Sequence, residues 1–122
     1  MENIRFLVVD DAIFMRTILK KMLEEAGYNV VGEAGNGAQA IEMAQKLQPD
    51  IITLDITMPE MDGIKAIEQI LKVSPNSKII MCSAMGHQSK VVEAVKAGAK
   101  DFIVKPFEKN RVLQAIHNVI NK

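Results

Sequence analysis

The chain has 122 residues, the usual length of one domain, and 48% of them are hydrophobic, enough for a real core. A single cysteine excludes an internal disulfide, no apolar run approaches the ~18 residues of a membrane span, and the four-residue apolar run near the N-terminus is too short for a signal peptide. Net charge is zero, which argues against nucleic-acid binding, but residues 1–62 carry eleven acidic and five basic side chains while residues 63–122 carry four and ten. Chance is one reading of that segregation; a polar molecule suited to a cation and a charged partner is the other. Eight methionines and a lone thiol suit a reducing cytoplasm.

In chain order, the first predicted strand is Arg5–Val9, inside the stretch FLVVDDA. Its apolar residues run straight into two adjacent carboxylates, Asp10 and Asp11, an arrangement that is costly in a core unless something offsets the charge. A helical stripe follows, made by Met15, Ile18, Leu19, Met22, Leu23 and Ala26, and Gly27 stops it. Strand two is Val30–Ala34, and Ala40, Ile41, Ala44 and Leu47 mark a helix that ends before Pro49. Strand three is Ile51–Leu54, with Ile64, Ile67, Ile70 and Leu71 on the helix after it. Strand four is Lys78–Cys82, followed by a helix with Val91, Val92, Ala94 and Val95 facing inward and Gly98 as its stop. Phe102–Val104 is the last strand, and Val112, Leu113, Ile116, Val119 and Ile120 line the last helix. The strands are nearly continuous in apolar residues, as in a sheet covered on both faces. No linker, repeat or low-complexity tract interrupts them, so residues 1–122 are expected to form a single domain.

Strict alternation of strand and helix implies a parallel sheet with right-handed crossovers and helices on both faces. Ligands bind such sheets beyond the carboxyl ends of the strands. The residues there are Asp10 and Asp11, Gly35-Asn36-Gly37, Asp55, Ser83 and Lys105. Each has an ordinary explanation alone. Asp10 or Asp11 could cap the first helix, Asp55 could start a turn, Ser83 could cap the fourth helix, and Lys105 could be a solvated lysine. Together they are harder to dismiss. Three crowded acids raise each other's pKa unless a cation joins them. Hard oxygen ligands suit Mg²⁺, and an Asp beside Mg²⁺, a Lys and a Ser is equipped to accept a phosphoryl group as the nucleophile.

The segments VVDDAIFMR, TLDITMPEMDG, MCSAMG and AGAKDFIVKPF fall in order at the predicted strand ends. On them the whole chain resembles the receiver domains of two-component response regulators, and most of all the single-domain regulators of chemotaxis. The resemblance implies a flavodoxin-like doubly wound (βα)5 sandwich whose five-stranded parallel sheet has the order 2-1-3-4-5. It implies Mg²⁺ held by Asp10, Asp11, Asp55 and the backbone carbonyl of Thr57. Asp55 would be the phosphoacceptor, with Ser83 and Lys105 bonding the phosphoryl group. Ser83, Phe102 and Pro106 would form the switch, with a cis peptide before Pro106, and Pro59 and Gly63 would shape the loop after Asp55. Phe102 keeps the ring of the family's switch aromatic without the hydroxyl that Tyr would bring.

The implied function is a phosphorylation-activated switch that assists its own phosphorylation and dephosphorylation but is not an enzyme in its own right. Its implied partners are a histidine kinase of the CheA type, the flagellar motor switch protein and a phosphatase of unspecified type. No nucleic acid or membrane insertion is expected; the protein is expected to be a cytoplasmic monomer. No DNA-binding segment is expected after Lys122, and output is expected through surface contacts, on the fourth helix, fifth strand and last helix. The alternatives are a receiver serving another phosphorelay, an aspartate-nucleophile phosphatase and a flavin or nucleotide carrier. The phosphatase reading wants a second acid at Thr57, and GEAGNG (32–37) lacks the G-x-G-x-x-G spacing of a dinucleotide site. Cys82, His87, His117, Met58, Met61 and Met85 are read as packing or surface residues.

Overall fold

The computed structural model describes residues 4–56, 63–84 and 88–121. Its elements are β1 (Arg5–Val9), α1 (Ile13–Glu25), β2 (Asn29–Ala34), α2 (Gly37–Leu47), β3 (Ile51–Asp55), α3 (Gly63–Val73), β4 (Lys78–Ala84), α4 (Gln88–Ala97), β5 (Asp101–Lys105) and α5 (Lys109–Ile120). The strands are parallel and lie in the order β2-β1-β3-β4-β5. This is the flavodoxin-like arrangement that the resemblance implied.

Successive strand residues point to opposite faces, and the core divides accordingly. Leu7, Val9, Ile52, Leu54, Ile79 and Met81 pack on the side that α2, α3 and α4 cover. Phe6, Val8, Ile51, Ile80 and Cys82 pack on the other, against Leu19 and Leu23 of α1 and Val112, Ile116 and Val119 of α5. Burying a side chain of this size contributes roughly 1.5–3 kcal/mol. Two glycines permit close packing, one of α2 on the sheet and one of the end of α4 on α3. At Gly32 a Cβ would meet Met43 Cε at 2.6 Å and Leu47 Cδ1 at 2.9 Å, so its absence lets α2 lie flat on β2. Gly98, just after α4, has φ +126°, and a Cβ there would lie 2.5 Å from Leu71 Cδ1.

The strands run beyond their apolar stretches. Asp55 pairs with Cys82, Ser83 with Val104, and Ala84 with Lys105. Asp55, Ser83 and Lys105, expected after their strands, are therefore among the last rungs of the ladder, whereas Asp10 and Asp11 do follow β1. Three expectations about burial need correction. Val92 and Val95 are 55% and 51% exposed, and of the four α4 positions only Ala94 is fully buried, because α4 meets the sheet along a narrow line. Ala26 is exposed, since it is the C-cap of α1 and not part of its inner face. The edge strands β2 and β5 are only partly covered, so the sheet is sealed on both faces at its centre alone.

Candidate functional site

Side chains from three strand ends meet at one point of the rim, and Ser83 lies on the strand beside them. Asp10 follows β1 and is buried; its N–H donates to the Ala34 carbonyl at 3.1 Å and its Oδ1 accepts from Ala12 N–H at 2.9 Å. Asp11 beside it is exposed. Asp55 ends β3 and Ser83 lies near the end of β4, both buried. Lys105 ends β5 and reaches back over the rim. Its Nζ lies 2.7 Å from Asp10 Oδ2 and 3.0 Å from Asp55 Oδ2.

The capping readings of these residues do not hold. The N-cap of α1 is Ala12, with no side-chain capping bond, and Asp10 makes only a local turn to Ala12. Helix α4 starts at Gln88, five residues beyond Ser83. Lys105 is paired twice and is not a solvated lysine.

Asp10, Asp11 and Asp55 each bring a carboxylate oxygen within 4.8 Å of the others. Among the described residues, the Lys105 ammonium is shared between two of these three acids, Asp10 and Asp55, so carboxylates are crowded there. Burial holds the Asp10 carboxyl above its usual range; the Lys105 and Ala12 bonds oppose that shift and the charge of Asp55 adds to it. Burial pulls the other way on Lys105, but its bonds to Asp10 and Asp55 and their charges outweigh it and raise its pKa. The lysine is thus a firm cation, and Asp10 is a carboxylate short of positive charge. Three hard oxygens, converging, with one exposed member at the mouth, fit a small hydrated divalent cation.

Thr57 lies outside the described residues, as do Met58, Pro59, Met61, Met85 and His87. Pro106 follows a cis peptide bond, as the resemblance implied. Phe102 is half-buried on the α3–α4 side of the core, with the Arg111 guanidinium 5.5 Å from its ring centroid and Arg111 Nη2 donating to its carbonyl at 3.3 Å. Cys82 is a core residue, its thiol pushed well above its usual pKa by burial and by the nearby Asp55 charge, and His117 is exposed. Sequence reasoning passed over Arg16, whose Nη1 donates to the Asp10 carbonyl at 2.6 Å while Nε donates to Glu33 Oε1 at 3.2 Å. A contact between α1 and β2 has no local spacing to reveal it.

The family model of the response regulator receiver domain matches residues 6–117. The chain is 61% identical to the chemotaxis protein CheY of Thermotoga maritima over 115 residues, 94% of this chain and 96% of the relative. It is 56% identical to the chemotaxis protein CheY of Bacillus subtilis over 117 residues, 96% of this chain and 98% of the relative. A chain of the crystal structure of the CheX–CheY–BeF3–Mg²⁺ complex from Borrelia burgdorferi is similar at a TM-score of 0.92 and 36% identity, covering 99% of this chain and 92% of that one. Among the described residues, no helix is long and apolar enough to cross a membrane.

Proposed function

This chain belongs to the response regulator receiver family, and on that premise we propose that it is a phosphorylation-activated chemotaxis regulator whose phosphoacceptor is Asp55. The observation that carries this reading is the placement of Lys105 Nζ between Asp10 and Asp55 at the rim of the sheet. A carboxylate held at a strand end, paired with a lysine and flanked by two further acids, is a charged nucleophile in a prepared electrostatic setting.

In the transfer, an Asp55 carboxylate oxygen forms a bond to phosphorus as the bond from phosphorus to the donor histidine nitrogen breaks. The electron pair stays on the imidazole, which takes up a proton. Lys105 neutralises charge on the transferring group. Ser83, one rung beyond the Cys82 partner of Asp55, offers its hydroxyl to a phosphoryl oxygen. Asp10, Asp11 and Asp55 would hold Mg²⁺, with the Thr57 carbonyl completing the set. Bound there, Mg²⁺ supplies positive charge to the phosphoryl oxygens and to the crowded carboxylates. Since these groups belong to the receiver, it assists its own phosphorylation and dephosphorylation.

Residues 1–122 act as one receiver domain, monomeric and cytoplasmic. The phosphodonor is a CheA-type histidine kinase and the target is the flagellar motor switch protein. The Borrelia complex joins a CheY to CheX, and we extend a partner of that kind to this chain in the phosphatase role. Phe102 and the Lys105–Pro106 segment transmit the change at Ser83 to the surface of α4, β5 and α5.

The test is chemical. Acetyl phosphate with Mg²⁺ should modify Asp55, and borohydride trapping with mass spectrometry should locate the adduct. Label at wild-type level in an Asp55→Asn protein would refute the assignment.

A further inference from the structure

The acidic loop between β1 and α1 is anchored from within α1. Arg16 Nη1 donates to the Asp10 carbonyl at 2.6 Å, and its Nε donates to Glu33 Oε1 at 3.2 Å. Glu33, on β2, also pairs with Lys20 Nζ at 3.6 Å. The guanidinium passes close over Gly35, where a Cβ would come within 3.4 Å of Nη1. The Asp10 backbone is thereby fixed on both sides, its N–H on Ala34 and its carbonyl on Arg16. The carbonyl of Asp10 and the N–H of Asp11 share one rigid peptide plane. Arg16 therefore sets the plane from which the Asp11 carboxylate projects.

We propose that Arg16, clamped by Glu33, is a positioning residue for the cation site, orienting the Asp10–Asp11 peptide so that both carboxylates converge on Asp55. This rests on the cation-binding role given above to the three acids. The charge of Arg16 opposes that role, since a guanidinium beside a cation site repels the cation. If Arg16 acted through its field alone, removing it would tighten binding. Positioning has the opposite sign.

The experiment is a MgCl2 titration by calorimetry on wild type, Arg16→Met and Arg16→Lys, with backbone amide signals followed by NMR. Arg16→Met keeps the unbranched stem and loses the donors. It should bind Mg²⁺ about 10-fold more weakly, in line with residues that orient metal ligands. The Asp11 amide should also shift before any Mg²⁺ is added, while amides at the far end of the sheet, such as Ser77, stay in place. Arg16→Lys keeps the charge without the fork and should recover only part of the affinity. Equal or tighter binding by a folded Arg16→Met protein overturns the proposal. If that variant does not fold, Glu33→Met removes the oxygen that clamps the guanidinium, and an Asp11 amide unmoved in it overturns the proposal equally. Wild type that fails to bind Mg²⁺ overturns this role together with the function above; wild type that binds, with Arg16→Met unchanged, overturns this role alone.

Discussion

Lys105 forms a 2.7 Å ion pair with Asp10 although their strands, β5 and β1, are separated by β3 and β4. The side chain crosses the rim and meets Asp55 on the way, at 3.0 Å. Its pKa is raised, so the stability it contributes is fully present below its unfolded value of 10.5 and is lost as pH rises through the higher folded value. Lys105→Met should lower the unfolding midpoint of the metal-free protein at pH 7, by an energy of roughly 1–3 kcal/mol for two charged hydrogen bonds lost. Thermal unfolding in EDTA measures this. The loss should shrink in acid, where Asp10 takes a proton; a loss independent of pH from 3 to 7 would count against the ion pairs as its origin.

Asp10 has the opposite linkage. Its folded pKa is raised above 3.8, so its favourable contribution is present below that value and is lost as pH rises through the folded value. At neutral pH its charge destabilises the metal-free protein. Asp10→Asn retains the oxygen that accepts from Ala12 and removes the charge. It should unfold at higher temperature than wild type in EDTA. Saturating Mg²⁺ should raise the midpoint of wild type far more than that of the variant. A lower midpoint for Asp10→Asn in EDTA contradicts the prediction.

Thr53 sits mid-strand in β3, fully buried, and its hydroxyl finds no partner among the described residues. Thr53→Val replaces that hydroxyl with a methyl group in nearly the same volume. The gain should be about 1 kcal/mol, the scale of an unsatisfied buried polar group, or a midpoint higher by roughly 3–5 °C. Differential scanning calorimetry decides it, and an unchanged or lower midpoint would show that the hydroxyl is satisfied.

Output is expected on the face of α4, β5 and α5. Val92, Val95 and Val104 are exposed there beside Lys96, Lys100, Lys109 and Arg111. Lys109→Glu should weaken binding of an acidic target several-fold, the scale of an exposed charge pair at about 0.2–1 kcal/mol, and leave Asp55 phosphorylation intact. Ser83→Ala should remove the effect of phosphorylation on target affinity while sparing Mg²⁺ affinity. Target-induced NMR shifts clustered on α1 and α2 would place output on the wrong side of the molecule.

The centre of the fold was open to reading because β1, β3 and β4 are apolar on both faces and leave one way to bury them. Periodicity worked less well at the margins. In α4 it could not distinguish Val92 and Val95, which face solvent, from Ala94, which faces the sheet. The candidate residues Asp10, Asp55, Ser83 and Lys105 stood out because charged and hydroxyl groups interrupt otherwise apolar strand ends. Arg16 was not, since its partners lie on β2 and at the end of β1, and an arginine on an amphipathic helix looks like any other surface charge.

Asp55 and Lys105 are fifty residues apart in the chain. Chains are synthesised at about 5–20 residues per second, so the acid leaves the ribosome roughly 3–10 s before its lysine. Throughout that interval a nascent chain carries Asp55 without the ammonium that pairs with it in the folded protein, and β5 has yet to add to the sheet. The Asp10–Lys105–Asp55 pairing is therefore among the last features of the site to form, since it waits for the final strand.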